Sequence, residues 1–204
     1  FFHIHALVFF GFVGLYLLQS WLVVRGQVTL HRQIGVAGAI LAPIMTLLAI
    51  SMTIVSLRRN GGPFFFDGNS FLLGNILQGV CFGALVVAAL LLRRQSDWHK
   101  RLMVCAVTVL TGPGLGRLLP LPLLIPWAWW AAMGATLVFP VAGAIRDYLT
   151  TRRIHPAWLY GAGLITVCFF AGELIAYSHA GYAFTDWILA GSAGAERPLK
   201  AAFP

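Results

Sequence analysis

Six histidines and one carboxylate are the residues from which this chain could build chemistry. His31, His99 and His155 stand beside basic residues where apolar runs begin, in His31-Arg32, His99-Lys100-Arg101 and Arg152-Arg153-Ile154-His155. Neutral imidazole ligates haem iron and transition metals. Three such rings at one depth on three helices would therefore make a candidate cofactor site, suited to b-type haem or another porphyrin. The plainer reading is that they meet headgroups, water or helix-end carbonyls. His3, His5 and His179 fall at the opposite ends of the runs. His3 and His5 are two apart, about 200° around a helix, and do not face one metal together.

Glu173 is the acidic residue deepest in an apolar run, 17 positions beyond Pro156. An intramembrane carboxylate costs several kcal/mol unless it is paired, hydrated or protonated. Arg117 lies at a similar height near the outer end of the fourth run, and Asn75 and Gln78, three apart, share a helix face. With His179 these residues make a candidate polar pocket. Glu173 is expected to turn into the bundle, within reach of Arg117, His179, Gln78 or ordered water. No Ser or Cys has an evident His and carboxylate partnership, so no catalytic residue is assigned. No Cys/His spacing suggests zinc, and no metal ligand set is assigned.

The elements that carry these residues follow from composition. Of 204 residues, 59% are hydrophobic and 10% charged, with a mean hydropathy of +0.84. An average soluble domain is about 25% charged. So few charges cannot cover a water-facing surface, and so much apolar content excludes disorder. The bilayer is the remaining solvent. The net charge of +8 then reflects topology signals and anionic headgroups rather than nucleic acid, which is not expected as a partner. Cys81, Cys105 and Cys168 lie inside apolar runs and are not expected to form disulfides.

A spanning helix needs about 20 apolar residues. The charge-free runs predict six, at about 3–24, 30–57, 70–93, 98–119, 123–147 and 156–178, in one transmembrane domain covering 1–204. The segment 182–190 is too short to cross and reads as an interfacial helix. The run from Phe1 exceeds the 7–15 residues of a signal-peptide core, so it is expected to be a spanning helix with further chain upstream. Pro113, within Thr111-Gly112-Pro113-Gly114-Leu115-Gly116, should kink or loosen the fourth helix. Gly79-xxx-Gly83 and Gly112-xxx-Gly116 offer close-packing faces. Nine basic residues fall on the side of the loops after helices 1, 3 and 5, and five on the other. The positive-inside rule puts the nine in the cytoplasm and both chain ends outside. The tryptophans fall at run ends, as an aromatic belt requires.

Two segments also carry a resemblance. Leu30-His31-Arg32-Gln33-Ile34-Gly35 and Asp97-Trp98-His99-Lys100-Arg101-Leu102-Met103 resemble a group of small uncharacterised bacterial multi-pass membrane proteins over about residues 3–120. The resemblance implies a helical bundle of the bacterial cytoplasmic membrane with no assigned function. In helix count and histidine placement that group is loosely similar to cytochrome b561-type bundles, which implies haem as a possible cofactor.

Three functions compete. The first is an accessory or structural component packed against other membrane subunits. The second is a histidine-ligated haem or pigment protein with redox function. The third is a small-solute or lipid transporter built on the Glu173 pocket. The expectation leans towards a protein that is not an enzyme.

Overall fold

The computed structural model describes residues 2–202, and among them the fold is all-α with no strand. Nine α-helices run in chain order: α1 Phe2–Val24, α2 Val28–Asn60, α3 Asn75–Leu91, α4 Ser96–Val109, α5 Gly112–Leu118, α6 Ala128–Thr136, α7 Val138–Thr151, α8 Pro156–Ala176 and α9 His179–Leu189. Five segments are long and apolar enough to cross a membrane: Phe2–Val24, Val28–Asn60, Ser70–Leu91, Ala128–Thr151 and Pro156–Ala176.

The expected fourth span, 98–119, is where sequence and structure part. It forms as two helices, α4 and α5, with a break at Leu110 and Thr111. Pro113 has no N–H to give to the carbonyl of Val109, and its ring crowds that carbonyl. The chain tightens instead: Leu110 N–H donates to Val107 O (3.0 Å) and Thr111 N–H to Thr108 O (3.0 Å). The 14 residues of α4 do not reach across a bilayer alone. The fifth run also departs from 123–147. Residues Leu121–Leu124 make a 3-10 turn, and the helix starts only at Ala128. Prolines at 120, 122 and 126 cannot continue an α-helical ladder. Pro140 removes a second ladder bond, which divides α6 from α7 at Leu137.

Helix ends follow local chemistry. Gly26 and Gly61, at φ of 72° and 73°, close α1 and α2 in the left-handed conformation that a side chain disfavours. Pro156 fills the first turn of α8, and the His155 ring accepts from the Ala157 N–H (3.2 Å). Ser178 caps α9 by accepting from the Gly181 N–H (3.1 Å). The segment read as 182–190 therefore begins at His179. It does not lie clear of the bundle: Ile188 and Leu189 pack with Leu57 of α2 and Leu72.

The core is built around α3, which packs against α2, α4 and α8. Half of its span is buried, against 11% for α1, so α3 is the centre and α1 the rim. Cys81, Phe82, Leu85 and Ala89 of α3 meet Met45 of α2, Cys105 of α4 and Ile165 of α8. Small residues permit these approaches. Gly83 faces the Thr46 hydroxyl, which donates to Ala42 O (3.1 Å) and Gly79 O (3.4 Å), so the Gly79-xxx-Gly83 face meets α2. Gly112 packs on Met133 of α6 and Gly116 on Leu121. The three cysteines are free thiols.

Candidate ligand groove and the two polar ends

At one end of the bundle, His31 of α2 and His99 of α4 come together, with ring centroids 6.3 Å apart and planes at 80°. Each ring is held at Nδ1. His99 Nδ1 lies 2.8 Å from Ala89 O, and the Gln19 amide, turned with its nitrogen to His31, donates to His31 Nδ1 and to His31 O (3.0 Å). The two bonds run in opposite senses: the His99 Nδ1–H donates to Ala89 O and leaves Nε2 open to ligate, whereas His31 Nδ1 accepts from the Gln19 amide, so the neutral His31 ring carries its proton on Nε2. His155 does not join the pair. Its Nδ1 caps α8, and its ring packs edge-on against Trp98 at 5.3 Å. In this arrangement His99 offers one imidazole lone pair, and among the described residues no group of three or more His, Cys, Asp or Glu could hold a metal ion.

The same end holds an ion-pair network that sequence reading did not anticipate. Asp147 of α7, 6% exposed, receives Arg101 Nε (2.7 Å), Arg101 Nη2 (2.9 Å) and the Trp158 indole N–H (2.8 Å). Arg101 also donates to Asp97 (3.1 Å), which pairs with Lys100 at 2.7 Å. The Lys100 hydrogen bond, then the Arg101 one, holds the exposed Asp97 carboxyl at about 2. A signal was present: an acidic residue in the last turns of a helix opposes the dipole and needs a cation.

At the other end lies Glu173, 7% exposed and turned into the bundle. The residues acting on its carboxyl are the Ser70 hydroxyl, the Trp129 indole and the Asp67 carboxyl. Ser70 opens a π-helical turn, Ser70–Gly74, that continues into α3. This turn fits closely under α8: a Cβ on Gly172 would stand 3.2 Å from Gly74 Cα, while one on Gly74 would collide with the Trp129 ring. Ser70 Oγ donates to Tyr177 Oη at 3.1 Å. Burial raises the Asp67 carboxyl above the usual range, opposed by the Asn69 N–H at 3.2 Å and by Lys200. Three buried polar atoms in this region have no hydrogen-bond partner: Glu173 Oε1, Trp129 Nε1 and Asn69 Oδ1.

Glu173 stands in the wall of a groove of about 600 Å³, open to the outside, between the start of α6 and the end of α8. Pro126, Trp127, Trp130, Phe170, Leu174 and Tyr177 complete the wall. Trp130 is wedged edge-on against Phe169 (4.8 Å) and Phe170 (5.5 Å). The other residues expected around Glu173 are placed elsewhere. Arg117 is exposed on α5 and donates to Pro113 O (2.8 Å). Asn75 donates to Phe71 O (2.6 Å) within its own turn. Gln78 lines a separate cavity of about 180 Å³ with Trp130, Met133 and Ile165. His179 is exposed at the start of α9. Asp67 and Ser70 lie about 100 residues before Glu173 and Trp129 lies 44 before it, separations that give no sign of adjacency in sequence, whereas Tyr177, four residues on, carried the readable signal of i,i+4 spacing. No family model, curated protein or solved structure matches the chain.

Proposed function

We propose that this protein is a six-crossing membrane protein of the bacterial cytoplasmic membrane that binds an amphiphilic ligand in the Glu173 groove. The observation that carries the reading is a buried carboxylate oxygen without a partner in the wall of an open aromatic groove. Binding sites are concave, mostly apolar and furnished with a few polar groups, and this groove has that make-up. The groove favours ligand binding over the role of an accessory subunit, for which no comparable feature speaks. In this topology α4 and α5 together make the fourth crossing, and α9 lies at the outer surface against the end of α2. The nine basic residues face the cytoplasm and both chain ends face outward. Glu173 then stands about 25 Å above Pro156, at the outer aromatic belt with Trp127 and Trp130. A cysteine at Ser96, the first residue of α4, should be blocked by membrane-permeant thiol reagents alone; reaction with an impermeant reagent added outside would reverse the orientation.

A second reading keeps the His31 and His99 pair as ligands of a haem or related pigment, in line with the likeness to cytochrome b561-type bundles. One preparation separates the two. Native mass spectrometry of mildly solubilised protein should show a bound small molecule or lipid that is lost in Trp130→Ala, with no Soret band in the visible spectrum. A Soret band lost on His99→Ala would favour the second reading. Bare protein mass without a Soret band would contradict both.

A further inference from the structure

We propose that the groove selects a cationic headgroup: its ligand carries an ammonium against Glu173 and an apolar body along Trp127, Trp130, Phe170 and Leu174. The inference rests on the ligand-binding reading above and adds the charge of the ligand. Glu173 is more than nine-tenths buried, yet its Oε1 meets no donor of hydrogen-bond geometry. Among the described residues, the salt bridges all belong to Asp97 and Asp147 at the opposite end, so no basic side chain pairs with Glu173. That is notable in a chain with 14 basic and 6 acidic residues. Around the Glu173 carboxyl stand the Ser70 hydroxyl, the Trp129 indole and a second carboxyl, Asp67, and no basic group. Lys200 acts on Asp67, and the chain end that carries it is tied down where Gly68 N–H donates to Leu199 O (2.7 Å). Two carboxyl groups with one peripheral lysine make this region acidic, and an ammonium in the groove favours the ionised form of Glu173.

The wall decides which cation. A bare Ca²⁺ takes 6–8 oxygen ligands, and Mg²⁺ requires a near-ideal octahedron. Here the wall around the carboxylate is indole, phenyl and phenol. Those faces attract organic ammonium ions through the ring quadrupole and shed water from an alkyl or aryl body. An anionic ligand would meet the Glu173 carboxyl in the wall. An uncharged one would leave Oε1 as it is, at the cost of a buried acceptor without a donor. The ammonium can arrive on a phospholipid headgroup of the outer leaflet or on a free amphiphilic amine, since the groove opens outward at the depth of the aromatic belt.

The test is a titration of intrinsic tryptophan fluorescence on the full chain in lipid nanodiscs, because Trp127 and Trp130 line the groove. The probes are phenethylammonium and its uncharged analogue 2-phenylethanol. In phosphatidylglycerol nanodiscs the ammonium should bind at least tenfold more tightly. Glu173→Gln should remove that preference and leave the affinity for 2-phenylethanol unchanged. Should Glu173→Gln fail to fold, Asp67→Asn serves in its place and should reduce the preference by severalfold. Equal binding of the two probes to the wild type would overturn the choice of a cation and leave the groove as a ligand site. No response to either probe, together with no copurifying molecule, would overturn the groove itself and this proposal with it. Phosphatidylethanolamine nanodiscs identify the source: suppression of the ammonium response there marks a lipid headgroup, and an undiminished response marks a free amine.

Discussion

Asp147→Ala should lower the thermal stability of the detergent-solubilised protein by about 3 kcal/mol, the largest loss expected from a single polar side chain. The residue accepts two hydrogen bonds from Arg101 and one from Trp158, and it ties α7 to α4 and α8. Removing one member of a buried ion pair costs about 3–5 kcal/mol, because the other charge is left without a partner. Arg101 keeps its contact with the exposed Asp97, so the lower end applies. On the scale of domains of this size, about 3 kcal/mol is a drop of roughly 6–12 °C. Asp147→Leu combined with Arg101→Met should recover most of the loss, since apolar side chains of similar volume replace buried ion pairs at little cost. Trp158→Phe removes one N–H donor and should cost about 1 kcal/mol. Heating followed by size-exclusion recovery measures all of these. An Asp147→Ala midpoint equal to that of the wild type would show that the network holds nothing together.

Gly172→Val should destabilise the protein and abolish ligand binding together. A Cβ at this position would stand 3.2 Å from Gly74 Cα and 3.6 Å from Gly74 N, so α8 rests on the backbone of the π-helical turn. Backbone cannot rotate aside as a side chain can. The turn has no room to retreat, because the Trp129 ring covers Gly74. Overpacking of this kind costs about 1–3 kcal/mol. The displaced residue next in sequence is Glu173, so the carboxylate leaves its place beside Ser70 and the groove. Gly163→Val is the matched control on the same helix: nothing lies within 4 Å of its Cβ position, and its stability should change by less than about 0.5 kcal/mol. Equal effects of the two substitutions, read by melting and by the phenethylammonium titration, would refute the close approach of α8 to the turn.

Much of the fold was legible because the length of an apolar run is a one-dimensional property. Phe2–Val24 and Pro156–Ala176 were nearly readable to the residue, since proline, glycine and basic residues mark where a helix leaves the hydrocarbon. The Pro113 break was visible for the same local reason. The pairing of Gly79 and Gly83 with α2 could be expected in kind, though not which helix would fill the face. Depth was legible too, which is why Glu173 and Arg117 looked like partners.

Depth without azimuth does not make a contact. The break before α5 leaves Arg117 exposed and bonded to Pro113, while the turn at Ser70 and the start of α6 close around Glu173. The same holds at the other end, where His31 and His99 meet but His155 caps its own helix. The amino-acid sequence alone marked the apolar runs suited to a bilayer, the breaks that proline and glycine impose, and the position of each polar residue along its run. Those depend on hydrophobicity summed along the chain and on local backbone chemistry. Only the tertiary structure decided that Asp147 holds Arg101, and that Glu173 faces an aromatic groove with a carboxylate beside it. Those choices depend on which small residues let two helices approach and on the rotation each helix then takes.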